Sequence, residues 1–274
     1  LPVTAFRSYL TCPYRFYLRH VLGLTSLDDC SEELGAAAFG TLLHEVLRRF
    51  GTSSSRDSMD AKAIQEMLEG ALEEIWGERF GRNTRAAVNV QLEQMRVRLR
   101  AFAPQQAAWA AEGWRIDYVE SPQDKLVSSI EVDGQGFGLL GRIDRVDVHV
   151  ETGQRIVFDY KSGDRALSPD RTHRHAGQWV DLQLPLYRYL ASSLGFNDPV
   201  QLGFILLPKD TSTASFSLAE WSEAELNEAY HVAHDVIRKV RDETFWPPTD
   251  GMPGYDEFAE ICDGSLSPSA GLRE

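Results

Sequence analysis

Asp144, Asp159 and Lys161 lie on two neighbouring β-prone runs, and their types and spacing suit the hydrolysis of a phosphodiester with the help of a metal ion. The runs are Gly141-Arg142-Ile143-Asp144-Arg145-Val146-Asp147 and Arg155-Ile156-Val157-Phe158-Asp159-Tyr160-Lys161-Ser162-Gly163. Two carboxylates suit Mg²⁺ or Mn²⁺, because Mg²⁺ takes hard oxygen ligands, usually only one or two carboxylates, and keeps positions for water and substrate phosphate. A lysine beside them can orient or help deprotonate the attacking water and offset charge developing on the phosphorane. An Asp-x-Lys tripeptide alone is commonly a surface ion pair worth little. The paired runs are what give it weight.

Those runs must be joined so that the charges meet. Glu151-Thr152-Gly153-Gln154 carries the polar residues and glycine of a tight turn. With Thr152-Gly153 as a two-residue loop, Glu151 faces Gln154 and Asp144 sits across from Lys161. Asp159 is then the diagonal neighbour of Asp144, roughly 7–8 Å away between Cα atoms. Strand period two puts Asp159 and Lys161 on one face and Tyr160 on the other, and turns Asp147 away from Asp144.

Around this hairpin the chain reads as an α/β protein with a helical N-terminal region. Residues 4–20 and 34–50 are predicted helical, Asp60 caps a helix to about Trp76, and Thr84 opens a long one to about Glu112. Strands are expected near 116–120, 126–132 and 136–141, with Asp133-Gly134 as a turn. A helix over 178–194, a strand at Val200–Leu207 and a short one near 214–218 follow, and Ser222 with Glu225 forms a capping box for a helix to about Glu243. Residues 246–274, rich in Pro and Gly, read as an irregular tail. The division expected is a mainly helical part over 1–113, a catalytic α/β core over 114–245 and that tail, all one domain of 1–274.

Five blocks in order resemble the PD-(D/E)XK nuclease superfamily, in its RecB-like branch found in bacterial helicase–nuclease subunits. They are Ser8-Tyr9-Leu10-Thr11-Cys12-Pro13-Tyr14-Arg15-Phe16-Tyr17-Leu18, Gly40-Thr41-Leu42-Leu43-His44, the two runs above, and Gln183-Leu184-Pro185-Leu186-Tyr187. The resemblance covers nearly the whole chain and implies a restriction-endonuclease-like mixed β-sheet flanked by helices. It also implies that His44, Asp144, Asp159 and the Tyr160 carbonyl ligate the metal, that Lys161 is the catalytic lysine, and that Gln183 and Tyr187 stand near the site and substrate backbone. Out of context, a histidine in an apolar helical segment such as 39–47 is more often packed or solvated than a ligand. Residues 183 and 187 share one helix face, and Pro185 must lie in a first turn or kink the helix.

The function implied is a metal-dependent deoxyribonuclease, acting as an exonuclease on single strands or duplex ends in repair or recombination, with a helicase domain or subunit as partner. The alternative is a retired module of the same fold that binds DNA or a helicase without cutting. A hydrolase of another phosphate ester is a third reading.

A net charge of −13 opposes approach to a polyanion. Binding is local, however, and cations gather at Arg7, Arg15, Arg19 and His20, at Arg79, Arg82 and Arg85, and at Arg96, Arg98 and Arg100. Arg165, Arg171, His173, Arg174 and His175 directly follow the second run. Arg165, Arg171 and Arg174 are the expected phosphate contacts. Cys12, Cys30 and Cys262 are too few for a four-cysteine site. Some RecB-like relatives hold an iron–sulfur cluster with one early cysteine and a late C-x2-C-x5-C; here Pro253 and Asp256 stand at two of those late positions, so no cluster is expected. With 43% hydrophobic residues over 274, no repeat, no signal peptide and no apolar run of membrane-spanning length, the chain is expected to be soluble and cytoplasmic. Its opening at Leu1 rather than Met fits a piece excised from a larger protein.

Overall fold

The computed structural model describes residues 1–25, 33–81, 86–121, 125–196, 199–247, 249 and 258–262. Helices α1 (Ala5–Thr11) and α2 (Pro13–Phe16) replace the single helix expected over 4–20. Cys12 between them is extended, with φ −160° and ψ 109°, because a proline disfavours helical backbone in the residue before it. One π-type turn, Tyr17–Val21, follows. Helix α3 (Ala36–Thr52) buries Phe39, Leu42, Leu43, Val46, Leu47 and Phe50, an apolar stripe at three- and four-residue spacing. Helix α4 (Ala61–Phe80) begins where predicted, with the Asp60 carboxylate accepting from Lys62 N–H. Helix α5 (Ala86–Ala111) is the long one; Thr84 lies outside the described residues.

Strand β1 (Trp114–Val119) leads to a separate hairpin of β2 (Leu126–Val132) and β3 (Gln135–Gly141), turned by Asp133 and Gly134, both at positive φ. Strands β4 (Arg145–His149) and β5 (Arg155–Lys161) form the expected second hairpin with a different register. Arg145 pairs with Phe158 and Val148 with Arg155. The loop is the four residues 150–153, closed by His149 N–H donating to Gln154 O and by Gly153, at φ 71°. Continuing the ladder by one sets Asp144 across from Asp159 rather than Lys161, which corrects the expected register and brings the two acids closer.

After α6 (Pro169–His173), the short strands β6 (Arg174–His175) and β7 (Gln178–Trp179) pair with each other. That pairing delays α7 (Gln183–Ser192), expected from 178. The Asp181 carboxylate accepts from Gln183 N–H at 2.9 Å, and Pro185 sits in the first turn, where its missing N–H is harmless. Strands β8 (Gln201–Leu206) and β9 (Ser215–Leu218) precede α8 (Glu223–Arg241), which starts at the predicted Ser222–Glu225 capping box.

The sheet order is β1-β4-β5-β8-β9, with β5 and β8 parallel and the other pairs antiparallel. This is a mixed sheet of restriction-endonuclease-like α/β type. One face packs Val146, Val157, Leu202 and Phe204 against α1, α7 and α8. The other packs Ile156, Phe158, Tyr160 and Ile205 against α3, α4 and α5. Among the described residues no helix is long and apolar enough to cross a membrane.

Candidate active site

The end of β5 supplies both halves of the site because its side chains alternate across the sheet. Lys161 Nζ lies 2.7 Å from Asp159 Oδ2 and donates to Gln183 Oε1 at 3.1 Å. Gln183 Nε2 donates to Asp159 Oδ1 at 2.7 Å, and Tyr187 O–H donates to the same oxygen at 3.0 Å. The glutamine therefore shows its carbonyl to the ammonium and its amide N–H to the carboxylate. The start of α7 at Gln183 is what sets that side chain beside the strand end.

His44 reaches the sheet from the middle of α3. Its ring meets Tyr160 edge to face at 5.4 Å, and Nδ1 stands 3.6 Å from Asp144 Oδ1. Asp144 Oδ2 accepts from Tyr160 N–H at 2.8 Å. The N–H and C=O of a strand residue point to the same side, so the Tyr160 carbonyl also faces Asp144, beyond the last β4–β5 pair. Glu120 joins this group although the sequence reading passed it over. It follows β1, its N–H donates to Asp144 O at 3.1 Å, and His44, Glu120 and Asp144 offer donor atoms within 4.8 Å of one another. An acid one residue past a strand is the signal for it, visible only once β1 is paired with β4 across the intervening hairpin.

The charges perturb one another. Burial pulls the His44 pKa down, but the Asp144 carboxylate, with Asp159 and Glu120, pushes it up to about 9. Burial and then the Asp159 charge raise Asp144, and burial and then the Asp144 charge raise Glu120. Hard carboxylate oxygens crowded with one imidazole fit a divalent cation, whose charge would relieve that crowding.

A family model for the PD-(D/E)XK nuclease superfamily matches residues 1–263. The chain belongs to that superfamily. It is RecB-like, as the five ordered blocks predict. ATP-dependent helicase/deoxyribonuclease subunits from Staphylococcus aureus strains JH9, N315 and USA300 are 23% identical over 262 residues, covering 87% of this chain and 22% of each relative. The chain thus spans about a fifth of the length of the curated relatives it matches. The crystal structure of SSO0001 covers 95% of this chain and 96% of its own at 15% identity, with a TM-score of 0.29, too loose a likeness to argue from.

Other residues of this PD-(D/E)XK chain support the site from behind. Asp147 faces away from Asp144, as predicted, and is paired with the fully buried Arg145. Arg98, from α5, is 5% exposed and donates to the carbonyls of Ser162 and Leu207, tying down the ends of β5 and β8. Its guanidinium lies 4.8 Å from the ring of Phe39, which precedes His44 on α3. Sequence spacing groups Arg98 with surface cations, whereas the fold makes it a core residue.

The remaining cations divide. Arg165 and Arg171 are exposed. Arg174 is held within the protein, 2.5 Å from Glu225 and over the Trp179 ring. Arg79, Arg96 and Arg100 pair with Glu45, Glu93 and Glu69; Arg82 and Arg85 lie outside the described residues. Cys12 is buried, and its Sγ accepts from Thr249 N–H and Arg15 Nη1, each at 3.3 Å. Cys262 ends a short helix, Ala259–Cys262, while Cys30, Pro253 and Asp256 lie outside the described residues.

Proposed function

We propose that the whole chain is one RecB-like nuclease domain that hydrolyses DNA phosphodiester bonds with Mg²⁺ or Mn²⁺. The observation that carries this is the joint Lys161–Asp159–Gln183–Tyr187 network set against the His44–Glu120–Asp144 donors. His44, Glu120, Asp144, Asp159 and the Tyr160 carbonyl would hold the ion, which would supply positive charge to the phosphate as it is attacked. Lys161, kept in place by Gln183 and Asp159, orients the attacking water and counters charge on the phosphorane. Tyr187 fixes Asp159, and Gln183 sets the distance between acid and ammonium. Arg165 and Arg171 reach for the DNA backbone, and Arg174 is left out because Glu225 already takes its charge.

The name of the relatives, a helicase/deoxyribonuclease subunit, supports DNA as substrate and a helicase domain or subunit as partner. The same reading takes the action as exonucleolytic, in cytoplasmic DNA repair or recombination, and no iron–sulfur cluster enters it. The test is cleavage of end-labelled single- and double-stranded DNA with Mg²⁺, Mn²⁺ or EDTA, beside Asp159→Ala. Metal-dependent cutting lost in the variant supports the proposal. DNA binding without cutting in any metal would make the chain a binding or helicase-partner module instead.

A further inference from the structure

Helix α3 carries the ionisable side chains His44, Glu45, Arg48 and Arg49. All but one are matched: His44 stands beside Asp144, Glu45 takes Arg79, and Arg49 reaches both Glu74 and Glu78 on α4. Arg48 is the exception. It is half-buried, yet among the described residues its guanidinium has no hydrogen bond and no ion pair.

Its neighbours along the helix say where that charge stands. Residues 44, 48 and 51 fall on one face of α3 at four- and three-residue spacing. At one end of this face His44 meets Asp144. At the other, Gly51 lies so close to the last residue of β1 that a Cβ on it would come within 2.4 Å of Val119 Cγ1. Arg48, between them, stands on the Glu120 side of the acids. Side chains on a helix lean toward its N-terminus, which carries the guanidinium back toward His44. Burial and the Asp144 charge push the Glu120 pKa up, and Arg48 is among the charges that pull it back. Lys161, bonded to Gln183, flanks the acids from the α7 side, and Arg48 flanks them from the α3 side.

A cation half removed from water without a counter-ion is costly to keep, and a polyanion that approaches these carboxylates needs positive charge beside them. A phosphate meets both needs, because a guanidinium matches its oxygens with two parallel hydrogen bonds. We propose that Arg48 binds the phosphate next to the one being cut, on the His44 side of the metal site. The inference rests on the nuclease reading for its substrate and adds to it a residue that holds the DNA backbone rather than reacts with it.

The experiment measures binding of a single-stranded oligonucleotide by fluorescence anisotropy over a range of salt, in an Asp159→Ala background so that nothing is cut, for Arg48→Gln and Arg48→Lys. One phosphate at a time is then replaced along the strand by a neutral methylphosphonate. Arg48→Gln should bind roughly tenfold more weakly and lower the slope of log affinity against log salt by about 0.7, while Arg48→Lys keeps the slope. One neutral linkage should weaken binding by the parent but not by Arg48→Gln, because both changes remove the same contact. Should thermal melting show Arg48→Gln unfolded, the same walk on Arg48→Lys decides, with a reduced effect at that linkage expected and an unreduced one refuting. Calorimetry with Mn²⁺, Asp159 intact, separates this role from one in holding Glu120. Unchanged affinity or slope in Arg48→Gln, no linkage whose effect depends on Arg48, or Mn²⁺ binding weakened as much as DNA binding would overturn the assignment. Cutting with binding indifferent to Arg48 sinks the assignment alone, and an Arg48-dependent linkage without cutting in any metal sinks only the nuclease.

Discussion

Replacing Asp147 by Ala should remove much of the protein's stability while leaving the chemistry intact. Asp147 is three residues from Asp144, but it faces the opposite core, where Arg145 Nε and Nη2 each meet it at 2.6 Å and Trp109 Nε1–H donates to it at 2.8 Å. Both members of the pair are 0% exposed. Stripping one partner from a buried pair costs roughly 3–5 kcal/mol, because the other charge stays without compensation. Domains are stable by about 5–15 kcal/mol, so the loss is a large share of the total, and at ~2–4 °C per kcal/mol it lowers the melting temperature by roughly 6–20 °C. The assay is urea and thermal unfolding of Asp147→Ala, Arg145→Met and the double Arg145→Met/Asp147→Leu. The double variant should regain most of the loss, since an apolar replacement of both members is often neutral or better. A single variant within about 1 kcal/mol of the parent, or a double variant as unstable as the two singles combined, would refute the reasoning. So would loss of DNA cutting by a folded Asp147→Ala protein.

Three further outcomes are expected. Lys161→Ala should bind Mn²⁺ about as the parent does by calorimetry yet cut DNA roughly 10²–10³ times more slowly; an unchanged rate would remove the lysine from the mechanism. Glu120→Gln should weaken Mn²⁺ binding by roughly 10–100-fold, and an unaltered isotherm would take Glu120 out of the ligand set. His173 is fully buried, donating from Nδ1 to Pro169 O at 3.0 Å and accepting Leu184 N–H on Nε2 at 3.2 Å. Burial lowers its pKa below 6.5, so the unfolded chain takes up the proton first and this contribution to stability, full above about pH 6.5, is lost as pH falls through the folded value. His173→Phe should flatten that acid slope in denaturant titrations between pH 7 and 5, and identical slopes would contradict the assignment.

The site was legible where chemistry follows one strand or one helix face. Parity along β5 assigned Asp159 and Lys161 to one side, parity along β4 turned Asp147 away, and the four-residue spacing put Gln183 beside Tyr187. What failed were pairings between distant segments. Glu120 enters only through β1 pairing with β4, a contact that skips the β2–β3 hairpin. The register of β4 against β5 depended on a loop read as Thr152-Gly153, whereas His149 and Gln154 close a loop of four. The break at Cys12 is readable from Pro13, since the residue before a proline leaves the helical region. Composition could not say which cations are free, since Arg174 meets Glu225 from 51 residues away.

The sheet also divides the molecule into two separately packed cores, and the site draws on both. His44 belongs to the layer of α3, α4 and α5, and Gln183 and Tyr187 belong to the layer of α7 and α8. Local openings with free energies below that of global unfolding are general in proteins, and an opening of either layer takes away one half of the constellation while the other half stays folded. Heat inactivation of this chain should therefore run ahead of its loss of ellipticity, and amide exchange at α3 or α7 would name the layer that sets its working limit.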